Sequence, residues 1–376
     1  MSAEPLRVEI LDRLDENDRR AWDQLAAPKS FYAGTRWLEF QREQEQGGRV
    51  HHVCVRSGDR LVGAVAVFVV DRPSSGNYHP GKLFPDAADQ GDRPVTLVGS
   101  SRGFYSGPLL SDDRALEPLL DAVQDIADTH SDGLAWWLYA TSADAALLAR
   151  RSGVTPRLLN GECVIPLPGS GFEDYLEGLL SSRRKRIRRD LREFESAGLR
   201  LSRARLSDEY QRCGALLAAT QQKYGVQASA DAMTLWLEQL SRAARDTGRL
   251  HLCMNAEEQP IGFSLIFTEG QTAYTRAIGF DYERAPHVGE YFQLSCYQPI
   301  RDAYADGATA LHLGAGAYQA KARRGAVVHP MWAVPTRPGA WDATATKAYN
   351  TGQAEALRAE LPGEDLVWTH DSEGWL

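Results

Sequence analysis

The stretch SSRRKRIRRDLREF, residues 181–194, sets Arg183, Arg184, Lys185, Arg186, Arg188, Arg189 and Arg192 against Asp190 and Glu193, in a chain whose formal net charge is -8. Ile187, Leu191 and Phe194 fall at i, i+4 and i+7, so the spacing predicts a helix with one apolar stripe and cations over the rest of its circumference. Ser181 or Ser182 can cap its start and Gly198 can end it. Like charges one turn apart repel by roughly a few tenths of a kcal/mol per pair, so the helix gains nothing from them in isolation. Compensation must come from outside. Surplus carboxylates of this acidic chain would make the helix a solvated face, whereas phosphates of a nucleotide or an RNA would make it a binding face.

Two further segments carry residues suited to chemistry. YERAPHVGEYF, residues 282–292, follows a predicted strand and opens a predicted helix, where the first-turn N–H groups lack intrahelical partners and favour an anion. Arg284 and Gly289 are its anion-binding candidates. In LHLGAGAYQAKARRG, residues 311–325, Gly314 and Gly316 allow close backbone approach after a β-run, and Lys321, Arg323 and Arg324 follow. A cation held beside a reacting carbonyl stabilises the oxyanion that forms on nucleophilic attack. Candidates for a general base are His287, Glu290, Asp281, Tyr274 and Tyr291, and residue type alone does not choose among them.

The elements that must position these residues follow one order twice. In the first half, helical segments precede RVHHVCVRSGDRLVGAVAVFVV, two strands joined at SGD, and then come a Gly/Pro-rich loop, the helix DRALEPLLDAVQDIADTHSDG and the strand LAWWLYA. In the second half, the helices around EYQRCGALLAATQQKYG and ADAMTLWLEQLSRAARDTG precede three extended runs, LHLCMNAEEQPIGFSLIFTEGQTAYTRAIGFD. A helix ended by Gly307 and the strand ATALHLG close the passage. This is an α/β arrangement, in which ligands sit where strands diverge. At 376 residues the chain is longer than one core normally organises. The boundary is expected near PLPGS, giving domains 1–168 and 169–335 and a C-terminal tail 336–376.

The meander PIGFSLIFTEGQTAYTRAIGFD, the loop and helix that follow it, LGAGAYQAKARRG and the basic stretch together resemble the Gcn5-related N-acyltransferase (GNAT) superfamily. Within it they look like the duplicated Fem-type branch of aminoacyl-tRNA-dependent peptidyltransferases and peptidoglycan biosynthesis or recognition proteins, over Phe172 to Val334. The resemblance implies tandem GNAT-like domains, each a mixed, mostly antiparallel sheet flanked by helices. It implies an amide-forming acyltransferase that moves an aminoacyl group from aminoacyl-tRNA, as co-substrate, to the amine of a small molecule or peptide. Lys321 would face the ester carbonyl, with Tyr274 and Glu290 completing the catalytic set. Arg183, Arg184, Arg188, Arg189, Arg284, Gly289, Arg323 and Arg324 would hold the donor, and the first domain the acceptor.

Acyl-coenzyme A is the alternative donor. The superfamily holds its pyrophosphate through a Q/R-x-x-G-x-G/A pattern, and here residues 284–289 read RAPHVG, with one glycine and altered spacing. A binding module that keeps the fold without the chemistry is the third reading, and Gln293, where related chains often carry a carboxylate, keeps it open. No cofactor or metal is expected. Cys54, Cys163, Cys213, Cys253 and Cys296 form no CxxC pair and read as reduced thiols. The longest apolar run, residues 61–70, is about half of what spans a bilayer, so a cytoplasmic monomer without membrane anchoring is expected. There is no G-x-S-x-G, Walker A or H-E-x-x-H motif. His51 and His52 alternate across a strand and cannot serve one metal.

Overall fold

The computed structural model describes residues 4–45, 47–87, 94–245, 247–361 and 366–376. Its contacts group residues 1–162 with 329–376 as one unit and 163–328 as a second. The first unit begins with β1 (Leu6–Leu11), α1 (Glu16–Ala26), α2 (Thr35–Gln44), β2 (Arg49–Ser57) and β3 (Arg60–Val70). It continues through α3 (Pro80–Leu83), β4 (Val95–Val98), β5 (Leu109–Leu110), α4 (Leu116–His130), β6 (Ala135–Ala140) and α5 (Ser142–Ser152) to β7 (Arg157–Pro166), which runs on into the second unit. The second unit contains α6 (Phe172–Glu177), α7 (Ser181–Ser196), β8 (Arg200–Ala204), α8 (Leu206–Lys223), α9 (Ala230–Ala244), β9 (Arg249–Met254), β10 (Pro260–Glu269) and β11 (Thr272–Phe280). It closes with α10 (Glu290–Phe292), a π-helical turn over Gln293–Tyr297, α11 (Gln298–Ala305), β12 (Ala310–Gly314) and α12 (Tyr318–Ala322). From there β13 (Val327–Pro335), α13 (Ala343–Glu360) and α14 (His370–Glu373) return the chain to the first unit.

Strand order repeats between the units. The first reads β1-β2-β3-β4-β6-β13-β7 and the second β8-β9-β10-β11-β12-β7. In each, a three-strand antiparallel meander leads to a parallel pair, β4 with β6 and β11 with β12. These are tandem GNAT-like domains, mostly antiparallel and flanked by helices. The run LVGAVAVFVV reads as a strand without polar alternation because every residue of β3 from Leu61 to Val70 is buried, and successive side chains point to opposite faces. Its hairpin with β2 turns at Gly58 and Asp59, and Gly58 takes φ +57, the region open to glycine.

The helix of residues 287–307 is not the single regular helix of the sequence reading. Pro299 has no N–H to give the Ser295 carbonyl, and the Thr275 hydroxyl donates to it instead at 3.3 Å. The ladder there widens into a π turn, a device often found at functional positions.

The described residues of the C-terminal segment, expected as a tail, pack into the first unit. Buried Asn350 accepts from the Leu158 amide at 2.8 Å and donates to the Pro156 and Trp375 carbonyls, and the Trp341 indole donates to the Thr155 carbonyl. Strand β13 pairs with β6, so chain from the far end completes the first unit's sheet. Among the described residues no helix is long and apolar enough to cross a membrane, and the five cysteines are free and buried.

Candidate functional site

Strands β11 and β12 pair in parallel only over Thr272–Tyr274 and Ala310–His312. Beyond that register they part, and the gap leads to the loop 281–289 and α10. Tyr274 and His312 stand at the last paired position with ring centroids 5.0 Å apart, and Tyr274 is buried. The loop is built on Asp281, whose carboxylate accepts from the Glu283 and Arg284 amides, each at 3.1 Å. It ends with His287 at φ +59 and Gly289 at φ +97.

Glu290 decides the electrostatics of this crossing. Its side chain reaches back so that one oxygen accepts from the His287 amide at 3.0 Å and the other from the Val288 amide at 2.7 Å, and the residue is 3% exposed. These are the N–H groups that the sequence reading offered to an external anion. The protein's own carboxylate occupies that position, so Glu290, expected in the catalytic set, pins the loop.

Helix α7 lies directly against the loop. A Cβ placed on Gly289 would stand 3.2 Å from the Asp190 carbonyl oxygen and 3.3 Å from its Cβ. Ile187 and Phe194 are buried, as the apolar stripe required, and Phe194 joins a core with Leu199, Cys253, Ile261, Phe280 and Leu294. Asp190 is buried as well, accepting from the Tyr297 hydroxyl at 2.7 Å and the Arg324 guanidinium at 2.8 Å. Arg324 also donates to the Tyr297 oxygen and the Ala320 carbonyl and stacks on Phe292. At 2% exposure it fastens α7 to α12 and presents no charge to a ligand, contrary to its expected phosphate-binding role.

The other cations divide. Arg184 donates to the Leu176 and Glu177 carbonyls, Arg188 pairs with Glu173 at 3.0 Å, and Arg189 with Glu193 at 3.6 Å. Arg183 is half-buried and engaged within the fold. Lys185, Arg186 and Arg192 are exposed and have no acidic or hydrogen-bonding partner among the described residues, and the same holds for Arg323. Arg284 is tied to Asp281 at 2.7 Å and Gln259 at 2.6 Å.

Lys321 donates to three carbonyls, Leu313 at 2.9 Å, Gly314 at 3.0 Å and Ala315 at 2.9 Å. An ammonium has three N–H donors, so an oxyanion could bind it only by displacing one of these carbonyls. In this structure Lys321 braces the end of β12.

A cavity of about 970 Å³ opens on the other side of the loop, between α8, the β9–β10 turn and residues 281–287. Its floor is Ala215, Leu216, Ala219, Pro260 and Tyr282, and cationic Arg212, Lys223 and Arg284, with His287, stand among acidic Glu258, Asp281 and Glu283. The Lys223 ammonium sits 3.7 Å above the Tyr282 ring. Burial raises the Tyr282 hydroxyl above the usual phenol range, so it stays protonated. Sequence reading missed Arg212, Lys223 and Tyr282, because nothing in their spacing marks a shared cavity.

The first unit treats its own parallel pair differently. β4 and β6 pair over Thr96–Val98 and Ala135–Trp137. Past that point the Ser106 amide and hydroxyl donate to the Tyr139 and Leu138 carbonyls. The Gln41 side-chain oxygen fixes the same loop by accepting from Ser100, Ser101 and Arg102, each at 2.7 Å. Residues 99–107 thus occupy the gap with the chain's own atoms.

Across residues 13–336 the sequence matches the FemAB-like family of peptidoglycan biosynthesis/recognition proteins. The chain belongs to that family. Solved structures with the same fold include FemX, at 11% identity and TM-score 0.62 over 86% of this chain and 96% of that one. A tandem GNAT protein from the clavulanic acid biosynthesis pathway aligns at 13% identity and TM-score 0.50 over 89% and 99%. A protein of unknown function from Bacteroides thetaiotaomicron aligns at 11% and 0.58 over 87% and 99%. No curated protein sequence matches. Family and fold together support acyltransferase-type chemistry.

Proposed function

We propose that this FemAB-like protein forms an amide by moving an aminoacyl group from aminoacyl-tRNA to the amine of a small molecule or peptide. The observation that carries the reading is the packing of α7 against Gly289. It sets Lys185, Arg186 and Arg192, cations without partners in the fold, on a helix that borders the crossing where β11 and β12 part. An RNA backbone supplies the phosphates such a face lacks. The position of Glu290 speaks against coenzyme A, since the two amides that a pyrophosphate would need already hold a buried carboxylate. The filled gap in the first unit favours the second as the donor side.

In the reaction the acceptor's neutral amine attacks the ester carbonyl and the carbonyl oxygen takes the charge. Collapse expels the ribose oxygen, which leaves with the proton lost by the amine, giving an amide and uncharged tRNA. The ribose hydroxyl beside the ester can carry that proton, so the step requires no side chain as base.

The experiment is retention of charged tRNA on filters across a salt series, together with transfer to a panel of amines. If three phosphates are neutralised, log K should fall with log salt at a slope of about 2 to 3. Arg186→Ala with Arg192→Ala should abolish most retention without unfolding the protein. Retention that ignores this change, or stabilisation by coenzyme A and not by tRNA, would overturn the reading.

A further inference from the structure

A second cavity, of about 310 Å³, lies in the first unit between the β1–α1 turn, the start of β2, α1 and α2. Three arginines line it, Arg13, Arg19 and Arg42. Of its two acids, Glu39 receives both arms of Arg19, at 3.2 and 2.9 Å, while Asp12 is exposed, 3.6 Å from His51. Arg13 and Arg42 are exposed and have no acidic or hydrogen-bonding partner among the described residues. His52, more than nine-tenths buried, also lines the cavity. Its Nδ1 stands 3.1 Å from the Leu11 carbonyl and so carries the ring proton, which leaves Nε2 an acceptor that gives an anion no hydrogen bond.

We propose that this cavity binds a small phosphate-bearing molecule, gripped by Arg13 and Arg42. Guanidinium forks match phosphate oxygens in geometry and charge, and two uncommitted forks suit a dianion better than a single carboxylate, which one fork satisfies. The volume lies at the lower end of the range for small-molecule sites, which fits a phosphorylated amino acid or sugar. The site does not depend on the identity of the acyl donor, since all its residues belong to the first unit.

Calorimetric titration of the full chain with inorganic phosphate, O-phosphoserine and acetate tests the proposal. Both phosphate probes should bind saturably and acetate weakly. The Arg13→Ala/Arg42→Ala variant should lose affinity for them by about tenfold or more, as two charge-assisted contacts are removed. Its thermal unfolding should match the parent, because neither side chain has a partner to lose. The Arg186→Ala/Arg192→Ala variant of α7 should keep the parent affinity. No saturable phosphate binding, acetate bound as tightly as O-phosphoserine, unchanged affinity in the Arg13/Arg42 variant, or a loss confined to the α7 variant would each overturn the proposal.

Discussion

Replacing Asp190 by Ala tests whether one buried carboxylate holds the basic helix in place. Asp190 is 6% exposed, Arg324 is 2% exposed, and the Tyr297 hydroxyl shares the same carboxylate oxygen. Removing the anion leaves a buried guanidinium without its counter-charge, and breaking a buried pair from one side costs about 3 to 5 kcal/mol. Asp190→Asn keeps an acceptor for Tyr297 and should cost less. A double variant with Arg324→Met should recover part of the loss, because the stranded charge is gone. Unfolding of a two-unit chain is not a single transition, so the readout is hydrogen exchange within residues 181–196 and 287–297. A loss of about 3 to 5 kcal/mol accelerates exchange there by roughly a hundredfold to a few thousandfold, at about 1.4 kcal/mol per factor of ten. Filter retention of tRNA should fall in parallel. If the amides of α7 exchange less than about threefold faster in Asp190→Ala, a cost under about 1 kcal/mol, the anchor argument is wrong.

Two further changes probe the same unit. Glu290→Ala should free the His287 and Val288 amides, lowering stability by about 1 to 3 kcal/mol and raising affinity for inorganic pyrophosphate at the loop; a variant no better at binding pyrophosphate than the parent would show that the carboxylate does not hold the anion position. Burial raises the Asp302 carboxyl, but the hydrogen bonds from His251 and Gln298 and the charge of Arg249 outweigh it, holding the group below the ordinary 3.8. A depressed carboxyl contributes its stabilisation in full above its unfolded value, and the contribution falls away as pH drops through the lower folded value. The stability difference between parent and Asp302→Asn should therefore be constant near neutrality and shrink below about pH 4, and parallel curves down to pH 2 would contradict this assignment.

Legibility in the sequence followed the range of each interaction. The β2–β3 hairpin, the β9–β10–β11 meander and the apolar stripe of α7 rest on neighbours a few residues apart, and each stands where periodicity placed it. The short edge strands β1 and β8 escaped that reading, because exposed edges such as Arg200–Ala204 carry little apolar signal. The charge run was visible, but its division was not. Asp190 looked like a minor offset among seven cations, and its partner Arg324 is 134 residues away.

What the sequence settled by itself is the order of most elements and the duplicated architecture, since local pattern and turn residues specify them. Only the tertiary structure decided which charged groups are spent on the fold and which stay exposed without a partner among the described residues. Glu290, Lys321 and Arg324 are polar residues of the kinds that catalyse or bind, yet each is consumed by a carbonyl, an amide or a carboxylate brought to it by folding. Arg13, Arg42, Arg186 and Arg192 are indistinguishable from them in one dimension. A side chain's availability depends on the partners that surround it in space, and those partners come from anywhere along the chain.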